Sequence, residues 1–195
     1  MKYLINIIAI SFFLMLISCN SKNGNEDIKS SQETDKLEFS NNGKVQTVDR
    51  DTLKQFLPTA IPGTDKMPSK SGSIFQANVV ITTCSAEYEF ANKGFLDCSI
   101  TDYGKIDNIP EFDRKRFSEP PQNSGMTTTE VILPSGKGYV VWDNSQKNGS
   151  FNALILNRFI IKIDAYRLPK SILNLQDYVK FVKINELVNY IDKNK

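Results

Sequence analysis

The sequence predicts an α+β fold whose main element is a mainly antiparallel sheet of about five to six strands. Apolar and polar residues alternate on both sides of a turn at Asn92-Lys93-Gly94, and residues 127–166 continue as short strands joined by turns. Apolar residues then recur at helical spacing over residues 171–191. We therefore expect a C-terminal amphipathic helix pair on one face of the sheet, and short helices or loops on the other.

Composition and charge narrow the classes of function. The chain has 24 basic and 22 acidic residues and is 40% hydrophobic, which is typical of a globular protein with one core. The densest basic cluster, residues 114–116, lies beside Glu111, Asp113 and Glu119. Without a basic stripe, the chain has no electrostatic reason to bind nucleic acid.

Catalytic and cofactor motifs are not found in the sequence. Histidine, the commonest general base and metal ligand, does not occur. The phosphate-binding, zinc, serine-hydrolase and calcium motifs do not occur either, so we predict no catalytic, cofactor-binding or metal-ligating set. Asp97, Asp102 and Asp107 lie close together in sequence, and we interpret them as solubility residues rather than as a glycosidase pair.

The N-terminal residues 1–18 are typical of a secretory signal. Lys2 provides a positive charge, and an apolar run from Leu4 to Leu16 follows it. This run is shorter than the roughly 20 apolar residues that a transmembrane helix needs. The run ends at Leu16-Ile17-Ser18-Cys19.

Those four residues resemble the lipobox of bacterial lipoproteins. The resemblance implies cleavage between Ser18 and Cys19, acyl chains on the Cys19 sulfur, and an anchor in the lipid bilayer of a bacterial cell envelope. It also favours the outer over the inner membrane, because Asn20 is not the aspartate that retains some enterobacterial lipoproteins at the inner membrane.

After the anchor we expect a flexible tether over residues 19–36 and a single globular domain over residues 37–195. The tether is polar and contains too few apolar residues to pack. Leu37–Val48 fits either a small hairpin or an ordered arm. A short helix capped by Asp49 or Asp51 follows, and residues 58–73, rich in proline and glycine, predict a surface loop.

The predicted hairpin at residues 74–103 carries Cys84 and Cys98. An even pair of cysteines in an oxidising compartment favours a disulfide. If Lys93 is the middle of the turn, however, Cys98 faces Tyr88, and Cys84 lies about 13 Å further along the strand. Either the strand bulges and the bond forms, or both thiols stay free and buried.

The last strands are apolar on both faces, at residues 139–142 and 153–156. After residues 151–156, either a two-residue turn at Asn157-Arg158 leads into a further strand at residues 159–166, or the whole segment forms one long strand. The C-terminal helices cover one face. Segments 51–57 and 110–117, together with the loop after residue 57, either cover the second face fully or leave part of it open as a docking surface.

The order of these elements, especially 153–166 followed by 173–182, resembles the PsbP type of α/β sandwich. That resemblance implies an accessory role, because the fold mainly serves to bind larger complexes.

These observations favour a membrane-anchored, non-enzymatic envelope lipoprotein that binds a protein partner. One alternative is a small-ligand or carbohydrate binder that uses the 58–73 loop, and a third is a hydrolase that works through carboxylates alone.

Overall fold

A computed structural model of the chain describes residues 46–76, 79–122 and 124–194. Within them, eight strands form one antiparallel sheet in the order β1-β3-β4-β8-β7-β6-β5, and β2 also pairs with β3. The strands are β1 Thr64–Lys66, β2 Lys70–Gln76, β3 Val79–Phe90, β4 Phe95–Asp102, β5 Thr127–Leu133, β6 Gly136–Asp143, β7 Asn148–Ile155 and β8 Phe159–Tyr166.

The described residues also form four short helices: α1 Arg50–Lys54, α2 Glu111–Ser118, α3 Gln176–Val179 and α4 Ile184–Lys193. A 3-10 turn at Ile106–Asn108 precedes α2. Asp49 caps α1, as predicted, by accepting hydrogen bonds from the backbone N–H groups of Asp51 and Thr52. The C-terminal segment is a bent helix, with the break near Lys183 that the sequence predicted.

The sheet is larger than the five to six strands that the sequence predicted. The additional strands are β1, which lies in the segment predicted to be a loop, and β2, which begins in that segment, and both pair with the long strand β3. Neither has the alternation of a half-buried strand, and Gly72 lies inside β2. Pairing with an existing edge, rather than their own sequence pattern, makes them strands.

One face of the sheet, here called the main face, holds the large core. It carries Cys84, Cys98, Phe151 and Ile163, each no more than 1% exposed, with α1, α3 and α4 packed over them. Segment 51–57, expected as a cover for the second face, lies here instead. The ring of Phe56 contacts that of Tyr190 in α4, with the centroids 5.7 Å apart. The Tyr88 hydroxyl donates to the Pro58 carbonyl and holds the following chain on the same face.

The register of the β3–β4 hairpin differs from the predicted one. Cys98 lies opposite Ala86, not Tyr88. The turn is centred one residue earlier, with Lys93 in the left-handed region at φ 64° and its N–H donating to the Phe90 carbonyl at 2.9 Å. A shift of one residue in the turn moves every cross-strand partner by two.

The β7–β8 turn is also shifted by one residue. Its two central residues are Leu156 and Asn157, with φ of 53° and 50°, and the Arg158 N–H donates to the Ile155 carbonyl at 3.0 Å. Of the two alternatives, the structure therefore has two strands. Positive φ at both central positions is typical of the tight turns that suit twisted antiparallel strands.

Candidate functional site

A buried ion pair lies where the described chain begins. Asp102, at the end of β4, is fully buried, and its carboxylate accepts two hydrogen bonds from Arg158, each 2.7 Å long. The backbone N–H groups of Val48 and Gly104 donate to the same carboxylate, also at 2.7 Å. These four charge-assisted bonds satisfy the buried charge.

Arg158 also donates to the Gln46 carbonyl at 2.9 Å. The Thr47 and Thr82 hydroxyls lie 2.8 Å apart and add a second link between this segment and the sheet. We call Asp102, Arg158 and the segment 46–48 the entry clamp. It fixes the first described residues of the domain to one end of the sheet.

The second face has its own small core. Tyr139, Val141 and Leu154 project from β6 and β7 and are covered by Ile109 and Phe117. The rings of Phe117 and Tyr139 lie 5.9 Å apart between centroids. Helix α2 and the turn before it therefore cover the strands that were predicted to be apolar on both faces.

Most side chains that β3, β4 and β8 place on the second face are polar. Glu87, Asp97 and Asp164 lie directly opposite one another on β3, β4 and β8, and Lys162 forms an ion pair with Asp164 at 2.7 Å. At the end of these strands, Tyr166 stacks on Phe95 with the ring centroids 4.8 Å apart. We call these residues the open patch.

Charge repulsion is present in the open patch. Burial raises the pKa of Asp97 above its ordinary value, and the neighbouring carboxylates of Asp164 and Glu87 raise it further. Lys70 and Lys162 act in the opposite direction. The open patch therefore holds a carboxylate, that of Asp97, whose charged form is disfavoured.

The three aspartates that lie close together in sequence occupy different places in the structure. Asp97 points to the second face, Asp102 belongs to the entry clamp on the main face, and Asp107 is exposed beside Lys105 at 3.8 Å. The sequence analysis did not identify the buried ion pair of Asp102. The alternation along β4 could have indicated it, because Asp102 follows the buried positions Leu96, Cys98 and Ile100 on the same face. A carboxylate that is buried in this way needs a partner.

Cys84 and Cys98 are both buried on the main face. They occupy diagonal positions on the paired strands, since Cys84 faces Ile100 and Cys98 faces Ala86. Such neighbours are about 7–8 Å apart, so a disulfide would need a small movement of the backbone. Burial raises the pKa of each thiol to about 12. The disulfide stays a prediction.

A shallow cleft of about 310 Å³ lies beside the C-terminal helices. Its apolar part includes the rings of Tyr178 and Phe181, 6.1 Å apart between centroids, and Leu173, whose side chain is 75% exposed. The lining consists of Pro62, Ser171, Ile172, Leu173, Asp177, Tyr178, Lys180 and Phe181. Two aromatic rings beside polar groups are a feature of small-ligand sites.

The described part of the chain contains no group of three or more acidic or cysteine side chains placed as metal ligands would be. Cys19, with residues 1–18 and the tether, lies outside the described residues. Across the ranges that the structure covers, no helix has the length and apolarity of a membrane span.

Comparison with family models, with curated proteins and with solved structures finds no match for this chain. The resemblances to bacterial lipoproteins and to the PsbP-type sandwich therefore stay predictions.

Proposed function

We propose that this chain is a lipid-anchored lipoprotein of the bacterial cell envelope whose domain binds another protein without catalysing a reaction. The observation that carries the proposal is the sequence Leu16-Ile17-Ser18-Cys19 after an apolar run. Acylation of Cys19 would attach the domain to a bilayer, and Asn20 favours the outer membrane.

The entry clamp supports the anchored part of this proposal. A tethered domain is connected to its anchor through the segment that enters the fold, and here that segment is held by a buried ion pair and by hydrogen bonds to Gln46 and Val48. Fixing this segment gives the domain a defined entry point, to which the preceding chain is joined.

The open patch supports the binding part. Aromatic side chains beside hydrogen-bonding groups are enriched in protein interfaces. Tyr166 is 46% exposed, and the Phe95–Tyr166 pair lies next to the polar rows of β4 and β8. The carboxylates lie on a sheet surface and not across a cleft, so the geometry offers the hydrolase alternative no support.

The anchor is tested by mass spectrometry of the protein isolated from its own envelope. We expect a chain that begins at Cys19 and carries the added mass of acyl chains. The variant Cys19→Ser should lose that mass and move from the membrane fraction to the soluble fraction. An unmodified native chain that begins at Met1 would overturn the anchor, whatever the domain binds.

The partner is tested by recovery from detergent-solubilised envelope. We expect a stoichiometric protein partner with the native chain and a clear loss of that partner with Tyr166→Ala. Leu173→Ala, an exposed change at the cleft, is the matched control and should leave recovery intact. Repeated recovery of the lipoprotein alone would contradict the binding role.

The cleft favours a second candidate function, the binding of a small ligand or carbohydrate. It predicts the reverse pattern, in which changes at Tyr178 or Phe181 abolish binding of a small molecule and Tyr166→Ala has no effect. Isothermal titration with a panel of envelope sugars distinguishes the two candidates.

A further inference from the structure

The sheet ends in an open edge at β5. Among the described residues β5 pairs with β6 alone, through the register Thr127 opposite Trp142 to Leu133 opposite Gly136. Alternate residues of an edge strand direct their backbone N–H and C=O groups outward, where they can pair with another strand. β5 therefore has an outer side suited to pairing.

Proteins usually protect such edges with lysine, proline, glycine bulges or short strands. The opposite edge follows this rule, because it consists of the short strand β1 and of β2, which begins at Lys70 and contains Gly72. β5 has only one such feature, the charged side chain of Glu130. Its sequence, TTTEVIL, has no lysine, proline or glycine, and Ile132 is 96% exposed.

We propose that β5 is a self-association site at which a second copy of this chain pairs antiparallel, edge to edge, across a two-fold axis at Thr129. The two sheets then form one continuous sheet through the contact. The inference goes beyond the partner-binding role and does not depend on the lipid anchor.

The sequence of β5 is complementary to itself in this register. Thr129 faces Thr129 of the second copy, and threonine pairs are favourable cross-strand neighbours. Glu130 faces Thr128, which avoids opposing two carboxylates, and Val131 faces Thr127. Ile132 faces the 40% exposed Met126 of the second copy, so the most exposed large apolar side chain among the described residues is covered.

Two other registers, with the axis at Glu130 or at Val131, are less favourable. A two-fold axis at Glu130 places two carboxylates directly opposite each other, which destabilises a strand pair. An axis at Val131 sets Thr128 against Pro134, which has no N–H to donate, and sets Ile132 against Glu130. Of these three registers, the Thr129 register suits a second copy of the strand best.

The experiment is cysteine crosslinking of the full chain, purified in detergent and oxidised under mild conditions. In the Thr129→Cys variant we expect a covalent dimer on a non-reducing gel, because the two new thiols face each other. Adding Ile132→Lys to this variant should lower the dimer by about ten-fold, since two symmetric cross-strand contacts are lost. Thr129 and Ile132 are exposed, so both variants should fold, which circular dichroism checks.

Two controls keep the result specific. Ser73→Cys places an exposed thiol on the opposite edge and measures random collisions, and Thr127→Cys places thiols that the Thr129 register holds about 13 Å apart. Cys19 is common to all variants, and the unaltered chain gives its background. Crosslinking of Thr129→Cys no stronger than that of Ser73→Cys would overturn the site, and stronger crosslinking of Thr127→Cys would overturn the register.

Discussion

The two faces of the sheet differ in the size of their buried cores and in how much of each is available for binding. The main face holds residues such as Leu96, Ile100 and Phe151 with no exposed surface, sealed by α1, α3, α4 and the entry clamp. The second face holds a small core beneath α2 and is mostly polar over β3, β4 and β8. The difference indicates that the free energy of folding comes mainly from the main face, which leaves the open patch available for binding.

The largest effect is expected from a cavity on the main face. Phe151→Ala removes a fully buried ring from the central strand β7 and should lower the free energy of unfolding by about 4–5 kcal/mol. Urea unfolding followed by circular dichroism measures this. A loss no greater than that of a similar cavity on the second face would contradict the comparison.

The second-largest loss of stability is expected at the entry clamp. Asp102→Ala leaves Arg158 without its buried partner and should lower the free energy of unfolding by about 3–4 kcal/mol. Asp107→Ala, at an exposed ion pair, is the matched control and should change it by less than about 0.5 kcal/mol. Replacing both Asp102 and Arg158 with apolar residues should cost less than Asp102→Ala alone, since no unpaired buried charge remains.

A cavity beneath α2 should cost less, and its effect should be local. Phe117→Ala should lower the free energy of unfolding by about 3 kcal/mol, because the helix can move to reduce the cavity. Hydrogen exchange should quicken in α2 and the preceding turn while β4 and β8 stay protected. Equal loss of protection in β8 would show that the two faces unfold as one unit.

Sequence patterns predicted much of this arrangement, for identifiable reasons. The strands β4 to β8 and the C-terminal helices follow from local periodicity, which a single sequence displays. β1, β2 and the placement of α1 on the main face depend on contacts with residues far along the chain, such as Phe56 with Tyr190, and local patterns carry no record of those. The turns near Lys93 and Leu156 were predicted one residue too late, because they place non-glycine residues at positive φ and composition did not mark their centres.

The candidate sites were predicted less well than the fold. The sequence analysis identified Cys84 and Cys98 but placed Cys84 four residues from the residue opposite Cys98. In the structure that separation is two residues, because Cys98 lies opposite Ala86. The entry clamp joins residues 46–48, 102 and 158, which no sequence motif connects. The open patch exists because three strands place Glu87, Asp97 and Asp164 in one row, and that row depends on the strand order.

The smallest effect, with the opposite sign, is expected at the open patch. Since the folded-state pKa of Asp97 is raised above 3.8, the native state binds the proton more tightly than the unfolded state does. This group therefore lowers stability as pH rises from about 3.8 through the raised pKa, and the loss persists at pH 7. Asp97→Asn should raise the free energy of unfolding at pH 7 by a few tenths to about 1 kcal/mol, after solvent screening.

The matched control is Asp143→Asn, because the hydrogen bonds from Ser145 and Gln146 lower the pKa of that carboxyl. Its charged form stabilises the β6–β7 turn, so the change should reduce stability at pH 7 and leave it unchanged at low pH. Urea unfolding between pH 3 and pH 7 measures both variants. If Asp97→Asn lost stability at pH 7, its carboxylate would be held by favourable contacts, and the second face would contribute to folding in the same way as the main face.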